Sequence, residues 1–374
     1  MKIFVDGVIF SRQQRGGISR TYSELLPRMS AIDPTIECVV YLRRKLKKGP
    51  LPMGPRVKHI LERSIYPWRF LVGKASAQRS LMQRVYEAER PDIFHTTYFT
   101  RPRTPRSKYV LPIYDMIDEK FVRTAQLNSC REVVKQKRDC VQFADLIISN
   151  SKWTTDDLLE YFKLSPDRVV TIPLGVGPEF APILDEEKKT DFCARYGLVR
   201  PFLLYVGGKR FNKNVMGLLK GYAGLKVNKD VDLVFVGDDD DFGVTEKEFI
   251  ASSMRGGAVR NLGILSQQEL VLAYNCGLAL VFPSLHEGFG LPLLEAMACG
   301  MPVAASNATS LPEVGGDAVL YFDPNDSADL AHALERIVCP GTRERLVEKG
   351  KARVKMFTWE NTAKRTLEAY RKLI

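Results

Sequence analysis

Short apolar runs rich in β-branched residues recur along the chain, and the segments between them are long enough for a helix. In the first half these runs are KIFVDGVIF, IECVVYL, PDIFHTTYF, YVLPIYDM, ADLIISNS and VVTIPLG, and in the second half they are FLLYVGG, VDLVFVGD, LALVFPS, PVAASN and AVLYFDP. Continuous apolar strands that alternate with helices predict parallel sheets covered on both faces. The 374 residues also exceed the roughly 250 to 300 at which a single core stops growing. We therefore expect an α/β protein with two doubly wound domains.

The division between the domains is expected within IPLGVGPEFAPILDEEKK (172–189), where proline and glycine cluster before a charged stretch. The first domain would comprise residues 1–173 and the second residues 174–357. The closing segment 358–374 has apolar residues at helical spacing and no strand after it, so it could pack on either domain.

The net charge of +11 is spread unevenly. Residues 1–170 contain 31 Lys and Arg against 18 Asp and Glu, whereas the remainder contains 24 against 26. A basic first half could face nucleic acid, an anionic membrane surface or a phosphate-bearing small molecule. Because no nucleic-acid-binding module accompanies the charge, nucleic acid is the least favoured of these partners.

The seven cysteines are odd in number and scattered, without a CxxC pair, which argues against a disulfide framework or a zinc site and favours a reducing cytoplasm. Asp6 and Gly7 interrupt the first apolar run, which is interpreted as a strand and not as a secretory signal. No uncharged apolar run approaches the roughly 20 residues that span a bilayer, so any membrane contact would be peripheral. The segments RRKLKK (43–48) and SIYPWRFLVGK (64–74) could make that contact, although such segments are more often solvated faces with a packed aromatic.

The segment HEGFGLPLLEA (286–296) places two glutamates, Glu287 and Glu295, around a pair of glycines and a proline. It follows the apolar run LALVFPS, so Glu287 would stand at the end of a strand. A helix is expected to begin near Pro292, which a first helical turn tolerates, and to stop at Gly300.

Backbone amides at a helix start attract anions, whereas carboxylates repel them, so the combination suits a phosphate group flanked by hydroxylated rings. A sugar nucleotide is such a ligand. The amides that would face its diphosphate belong to Gly288, Phe289, Gly290 and Leu291. The alternative is an ordinary helix start, in which Glu287 offsets the helix dipole and Glu295 forms a surface pair.

The segment GGKRFNKN (207–214) follows another apolar run and brings Lys209, Arg210 and Lys213 next to two glycines. A departing diphosphate needs its growing negative charge neutralised, and lysine and arginine can supply that charge without a metal ion. The tip of a parallel strand is also where α/β sheets bind ligands. On its own, however, this motif would be interpreted as a solvated basic turn.

Gly16 and Gly17 lie between the first strand and an amphipathic helix, which is the location of a phosphate loop without its sequence pattern. A tight turn is an equal alternative.

Three further features of the sequence could contribute to a functional site. The acidic segment VGDDDDFG (236–243) could hold a divalent metal, but a solvated acidic loop is favoured because lysines already serve the diphosphate. His95 and Asp115 stand at predicted strand ends, and for His95 a buried structural role is at least as well supported.

These motifs resemble a known family. PSLHEGFGLPLLEAMACGMPVAASNATSLPEVGGDAVLYFDPND (283–326) closely resembles the signature region of retaining glycosyltransferases of family 4, which adopt the GT-B fold. The segments GGIS, VTIPLGV, GGKRFNKN and FTWENTA resemble the same family in the same order, so the resemblance covers nearly the whole chain. It implies two Rossmann-like domains that face a central cleft, with the closing helix packed on the first domain.

The resemblance also implies roles for individual residues. Glu287 would lie beside the donor sugar, Glu295 on the ribose and Lys213 on the diphosphate, with the amides of the glycine loop around the donor. Gly16 and Gly17 would close over the diphosphate from the other domain.

Two positions depart from the family pattern. Lys209 stands where relatives often have arginine, so the diphosphate clamp would consist of two lysines, either alone or with help from Arg210. Tyr114 precedes Asp115 where many relatives have a histidine that approaches the donor sugar. The resemblance therefore implies no imidazole there, and Tyr114 would contribute through its backbone or hydroxyl.

The activity that the resemblance implies is retaining transfer of a sugar from a nucleotide diphosphate to a saccharide or lipid-linked acceptor. Mannose is the expected sugar, because the chains with a similar SLPEVGGDA segment are often mannosyltransferases or rhamnosyltransferases. The expected setting is bacterial surface polysaccharide synthesis in the cytoplasm, with peripheral contact at the inner face of the cell membrane. No metal or other cofactor is expected. Glu287, Lys209 and Lys213 would act by charge neutralisation and positioning. A glycoside hydrolase or phosphorylase and a non-catalytic nucleotide-sugar-binding partner remain as alternatives.

Overall fold

The computed structural model describes residues 1–13, 16–43, 45–47, 49–62, 74–103, 106–121, 128–225, 230–237, 241–254 and 259–374. The chain divides into two compact units, of which the first consists of Met1–Gly175 with Trp359–Ile374 and the second of Val176–Thr358. Within the described ranges, every helix is too short or too polar to cross a membrane.

The described residues of the first unit form a seven-stranded parallel sheet with helices on both faces. Its strands are β1 (Lys2–Val5), β2 (Glu37–Leu42), β3 (Val57–Leu61), β4 (Ile93–His95), β5 (Lys108–Ile113), β6 (Leu146–Ser149) and β7 (Val169–Thr171), in the order β3-β2-β1-β4-β5-β6-β7. Its helices are α1 (Ile9–Arg12), α2 (Gly17–Ile32), α3 (Lys74–Glu89), α4 (Ile117–Phe121), α5 (Asn128–Phe143) and α6 (Lys152–Phe162), together with the C-terminal helix described below.

The described residues of the second unit form a six-stranded parallel sheet. Its helices are α7 (Glu186–Arg195), α8 (Val215–Ala223), α9 (Val244–Ser253), α10 (Gln267–Cys276), α11 (Leu291–Ala298), α12 (Leu311–Gly315), α13 (Ser327–Ile337) and α14 (Pro340–Val354). Its strands are β8 (Phe202–Val206), β9 (Asp232–Val236), β10 (Val259–Asn261), β11 (Ala279–Phe282), β12 (Val303–Ser306) and β13 (Val319–Phe322), in the order β10-β9-β8-β11-β12-β13. The expected α/β class with two doubly wound sheets is confirmed.

The last helix, α15 (Trp359–Leu373), belongs to the first unit. Its apolar residues recur at helical spacing, and Ala363, Leu367 and Tyr370 share a buried core with Tyr22 and Met29 of α2. Through this stripe of small and aromatic side chains, the closing helix packs directly on the first unit.

Three strands of the two sheets differ from what the sequence predicts. The first apolar run is only partly a strand, since β1 ends at Val5 and the chain turns at Gly7, whose φ is +55°. A side chain at Gly7 would meet the carbonyl of Tyr41, so the turn requires glycine. The strands β3 and β10 were missed because both are half-exposed and therefore lack a continuous apolar run.

Candidate functional site

The sheet of the second unit has its topological switch point beside β8. This strand pairs with β9 on one side and with β11 on the other, so the chain proceeds outward in both directions from it. Open α/β sheets bind ligands at the carboxyl ends of the strands at such a point. Residues 207–214 follow β8 and residues 283–290 follow β11, so both motifs of the second half lie at this edge.

Two asparagines join these loops. Asn212 is buried; its carbonyl accepts from the Leu285 N–H at 2.7 Å, and its side-chain amide donates to the His286 carbonyl at 3.0 Å. Asn214 adopts a φ of +54°, which asparagine tolerates, and donates to the Pro283 carbonyl at 3.2 Å. Sequence reasoning missed both residues, although an asparagine directly before a helix is a turn signal. Their bonds hold the two loops in register.

Lys213 and Glu287 form an ion pair between the two loops. The Lys213 Nζ lies 2.5 Å from Glu287 Oε1, and 20% of the lysine side chain and 11% of the glutamate side chain are exposed. The ammonium also lies 5.3 Å from the centre of the Phe282 ring. An ammonium has three donors and a carboxylate has about four lone-pair sites, so each partner keeps capacity for a ligand. The structure thus brings together two groups that the sequence presents 74 residues apart.

The glycine loop of residues 286–290 leads directly into α11. Gly290 adopts a φ of +107°, and a side chain there would collide with Leu311, so this turn requires glycine. Helix α11 begins at Leu291 with Pro292 in its first turn and no acidic residue there, which leaves its positive end unopposed by its own side chains. As predicted, the helix stops before Gly300, whose φ is +75°.

Glu295 lies on α11 and is only 6% exposed. Its Oε2 accepts a hydrogen bond from the buried hydroxyl of Tyr274 on α10 at 2.9 Å. Burial, reinforced by the Glu295 charge, raises the pKa of the nearby Cys299 thiol to about 12. Tyr274 was missed because nothing in its local sequence distinguishes it from a core tyrosine. The alternative of an exposed surface pair for Glu295 does not fit its burial.

The loop after β12 supports the glycine loop from a third strand end. The Thr309 Oγ1 accepts from the Glu287 N–H at 3.0 Å. The Ser310 hydroxyl donates to the carbonyls of Glu287 at 3.0 Å and Phe289 at 3.1 Å. Sequence reasoning assigned no role to either hydroxyl residue.

Lys209 and Arg210 lie at the end of β8 but differ in exposure. Lys209 is half-buried, with its Nζ 5.6 Å from the centre of the Phe242 ring, whereas Arg210 is exposed. Residues 238–240 of the acidic segment lie outside the described residues. Among the residues that the structure describes, no three histidine, cysteine, aspartate or glutamate side chains are grouped as a metal site would need.

In the first unit, Gly16 precedes α2 and Gly17 is its first residue. Gly16 has an extended backbone with a φ of −172°, and a side chain there would meet the side chain of Gln13. The other predicted features of this region, residues 44 and 48 of the basic run and residues 64–73 of the aromatic stretch, lie outside the described residues.

His95 and Tyr114 belong to a buried polar network. The two ring nitrogens of His95 are hydrogen-bonded to the hydroxyls of Tyr22 and Tyr370, and burial lowers the pKa of His95 to about 3. Burial raises the pKa of Tyr114, whose hydroxyl is hydrogen-bonded to Tyr22 and Thr21. His95 and Tyr114 line a cavity of about 20 Å³, which has room for about one water molecule. His95 therefore has the structural role that the sequence left open.

Asp115 caps the short helix α4. Its carboxylate accepts from the Ile117 N–H at 3.1 Å, and its carbonyl accepts from Lys137 at 3.1 Å. Lys137 is 1% exposed and also lies 2.7 Å from Glu119 Oε2 in a fully buried ion pair. The sequence does not predict this pair, because the many basic residues of α5 are typical of a solvated helix.

The chain matches two family models in succession. Residues 15–180 match the model described as Glycosyltransferase Family 4, and residues 197–353 match the model described as Glycosyl transferases group 1. The chain belongs to the family 4 glycosyltransferases. The match to the group 1 model, over residues 197–353, includes the site residues from Lys209 to Glu295.

This family 4 chain is similar to two curated mannosyltransferases. It is 34% identical over 250 residues to O-antigen chain mannosyltransferase B of Escherichia coli, a match that covers 65% of each chain. It is 31% identical over 260 residues to the serotype-specific mannosyltransferase WbdA of Escherichia coli, covering 65% of this chain and 31% of that one. The matched part therefore spans less than two thirds of either relative.

The fold of the family 4 chain is that of GT-B glycosyltransferases. Sucrose-phosphate synthase from Thermosynechococcus elongatus superposes with a TM-score of 0.79 at 20% identity, covering 100% of this chain and 98% of that one. The predicted GT-B class is confirmed.

Proposed function

We propose that this chain is a retaining, metal-independent glycosyltransferase that transfers mannose from a nucleotide diphosphate to a saccharide or lipid-linked acceptor in surface polysaccharide synthesis. The family membership and the printed activities of the two mannosyltransferase relatives support the reaction class and the sugar. The single observation that carries the proposal is the Lys213–Glu287 pair beside the glycine loop at the start of α11.

In this proposal the two residues of the ion pair bind different parts of the donor. Lys213 keeps one donor on Glu287 and directs others to the diphosphate, where charge develops as the bond to the sugar breaks. Glu287 keeps one oxygen on Lys213 and accepts from the sugar hydroxyls with its remaining lone pairs. The amides of Gly288, Phe289, Gly290 and Leu291 line the diphosphate between these groups.

Glu295 is proposed to accept from the ribose diol. Tyr274 donates a hydrogen bond to its Oε2, and this bond orients the carboxylate. The carboxylate is therefore pre-positioned, which lowers the entropy lost on binding.

The first unit is proposed to present the acceptor. Gly16 and Gly17 would close over the diphosphate, and Tyr114 and Asp115 would lie near the donor sugar. The Tyr114 hydroxyl is buried and hydrogen-bonded to Tyr22 and Thr21, so Tyr114 would contribute through its backbone. The leaving phosphate oxygen would take the acceptor proton on the same face of the sugar, and Lys209 would add a second positive charge. A cytoplasmic location with peripheral membrane contact belongs to the same proposal.

Ligand binding tests the proposal first. Thermal-shift measurements with GDP-, UDP-, ADP- and dTDP-sugars in the presence of EDTA should show stabilisation by one nucleotide family. Lys213→Met should abolish that stabilisation. The control Lys349→Met, which removes an exposed ion pair with Asp317 elsewhere in the second unit, should keep it. Stabilisation that appears only after a divalent cation is restored would overturn metal independence.

Product analysis tests the chemistry. The α-linkage of GDP-mannose or of another bound donor should be retained in the product, as seen in the anomeric coupling constants by NMR. Inversion of this configuration would contradict the retaining reaction. Release of free sugar or sugar phosphate without a nucleotide product would instead indicate a hydrolase or phosphorylase.

A further inference from the structure

The backbone of Glu287 is held at both of its polar groups by one pair of hydroxyl side chains. Its N–H donates to Thr309 Oγ1 at 3.0 Å, and its carbonyl accepts from Ser310 at 3.0 Å. Ser310 is fully buried and also bonds the Phe289 carbonyl. With Lys213 on the carboxylate, Glu287 is therefore fixed at three separate groups.

Thr309 makes this contact in an unfavourable backbone conformation. Its φ is +53°, in the left-handed region, where a β-branched side chain crowds the following carbonyl. The other non-glycine residues with positive φ in the described part of the chain are Arg90, Phe99, Lys163 and Asn214, none of which is β-branched. Such strain persists only where surrounding contacts impose it, and it concentrates at functional sites.

The side chain at position 309 needs an acceptor one bond beyond Cβ. Glycine would relieve the strain but has no oxygen to offer to Glu287, and valine would keep the shape without the oxygen. Serine would keep the oxygen. Single substitutions at position 309 can therefore distinguish the effect of side-chain shape from the effect of the hydrogen bond.

We propose that Thr309 is a positioning residue that fixes the carboxylate of Glu287 for the donor sugar. The proposal rests on the proposed function, because only there does Glu287 contact the sugar. Thr309 acts through the Glu287 N–H and touches no reacting atom. The loop after β12 thereby becomes a third part of the donor site, beside the loops after β8 and β11.

Amide hydrogen exchange tests the contact without any activity. Thr309→Val should accelerate exchange of the Glu287 amide by about tenfold or more, whereas Thr309→Ser should leave it within about threefold of the native rate. Thr309→Gly removes the oxygen and the strain together, so it folds even if the valine variant does not, and it should also accelerate exchange. Equal exchange in the native, glycine and serine chains would overturn the proposal.

A double-mutant cycle tests the positioning role. Thr309→Val should lower kcat by roughly 30-fold in the native background, since a small misplacement of a positioned group costs up to about 100-fold. In the Glu287→Gln background the same substitution should lower kcat by less than about threefold, because the group being positioned has already been weakened. Equal losses in both backgrounds would show a general structural role and reject the proposal. A native chain that transfers no sugar would reject the proposed function, while the amide exchange would still decide whether Thr309 holds Glu287.

Discussion

The strand ends of the two units use charged and polar side chains in opposite ways. At the edge of the second sheet, Lys213 and Glu287 pair while remaining partly exposed, so they keep capacity for a ligand. At the edge of the first sheet, Lys137 and Glu119 are fully buried and bonded within the unit. The same topology thus has partly exposed charges at one edge and a packed edge in the other unit. Exposure of the pair, and not its presence, distinguishes the two.

The largest effect is expected from breaking the buried pair. Lys137→Met should lower the free energy of unfolding by about 3 to 5 kcal/mol, because it leaves Glu119 buried without a charged partner. Urea denaturation followed at the transition of the first unit measures this loss. The double variant Lys137→Met/Glu119→Leu should recover most of the stability. Equal stability of the single variant and the native chain would show that the packed edge does not depend on the pair.

The partly exposed Lys213–Glu287 pair should show the reverse result, a large loss of activity with a smaller loss of stability. Lys213→Met should slow sugar transfer by about 10²- to 10³-fold, since a removed charge-stabilising group costs about 2.7 to 4 kcal/mol of activation. Its free energy of unfolding should fall by less than that of Lys137→Met, because the Lys213 and Glu287 side chains keep partial contact with water whereas Lys137 and Glu119 do not. Steady-state kinetics and denaturation of the same preparation separate the two quantities. If Lys213→Met loses stability but keeps its turnover, the proposed difference between the Lys213–Glu287 and Lys137–Glu119 pairs is wrong.

The next prediction concerns the hydrogen bond from Tyr274 to Glu295 in the second unit. Tyr274→Phe removes the donor to the buried Glu295 and should lower the free energy of unfolding by about 1.5 to 3 kcal/mol, as for a hydrogen bond to a charged group. The KM for the nucleotide sugar should also rise while kcat changes less. An unchanged KM would remove Glu295 from the proposed ribose contact and leave it a structural acid.

The smallest effect, counted per pH unit, concerns the buried His95 of the first unit. The pKa of His95 is lowered to about 3 by burial, so the folded chain keeps this imidazole neutral while the unfolded chain protonates it near its usual 6.5. Its contribution to stability is complete above that value and is lost as the pH falls towards 3. Each pH unit in this window should cost about 1.4 kcal/mol.

Denaturation at pH 7 and pH 5 measures this slope. His95→Gln should flatten it, whereas His332→Gln, at an exposed position of α13, should not. If both variants keep the native slope, another group is responsible for the pH dependence.

The fold was predictable where a strand is buried on both faces. Runs such as FLLYV and LALVF have no polar interruption and therefore identify central parallel strands. The edge strand β3 mixes half-buried and exposed positions, and β10 is half-buried at all three of its residues, so their pattern is indistinguishable from that of a loop. Polar residues near a strand end mark a loop, but they do not reveal whether a short helix follows, as happens after Gly7.

The candidate site was predictable only where its chemistry is local in sequence. The glycine loop and its two glutamates lie within eleven residues and therefore form a recognisable motif. Thr309 and Tyr274 lie 22 and 21 residues from the acids that they hold, and their contacts depend on which strands are neighbours. The partner of His95 on α15 is 275 residues away, and no local pattern encodes such a contact.

The position of α15 sets an order of events during synthesis. Ala363, Leu367 and Tyr370 complete the core of the first unit, and Tyr370 supplies a partner for the buried His95. Residues 176–358 are synthesised before this helix, so the first unit lacks part of its interior until the whole second unit has been made. The unit whose synthesis begins first is therefore the one whose core is completed last.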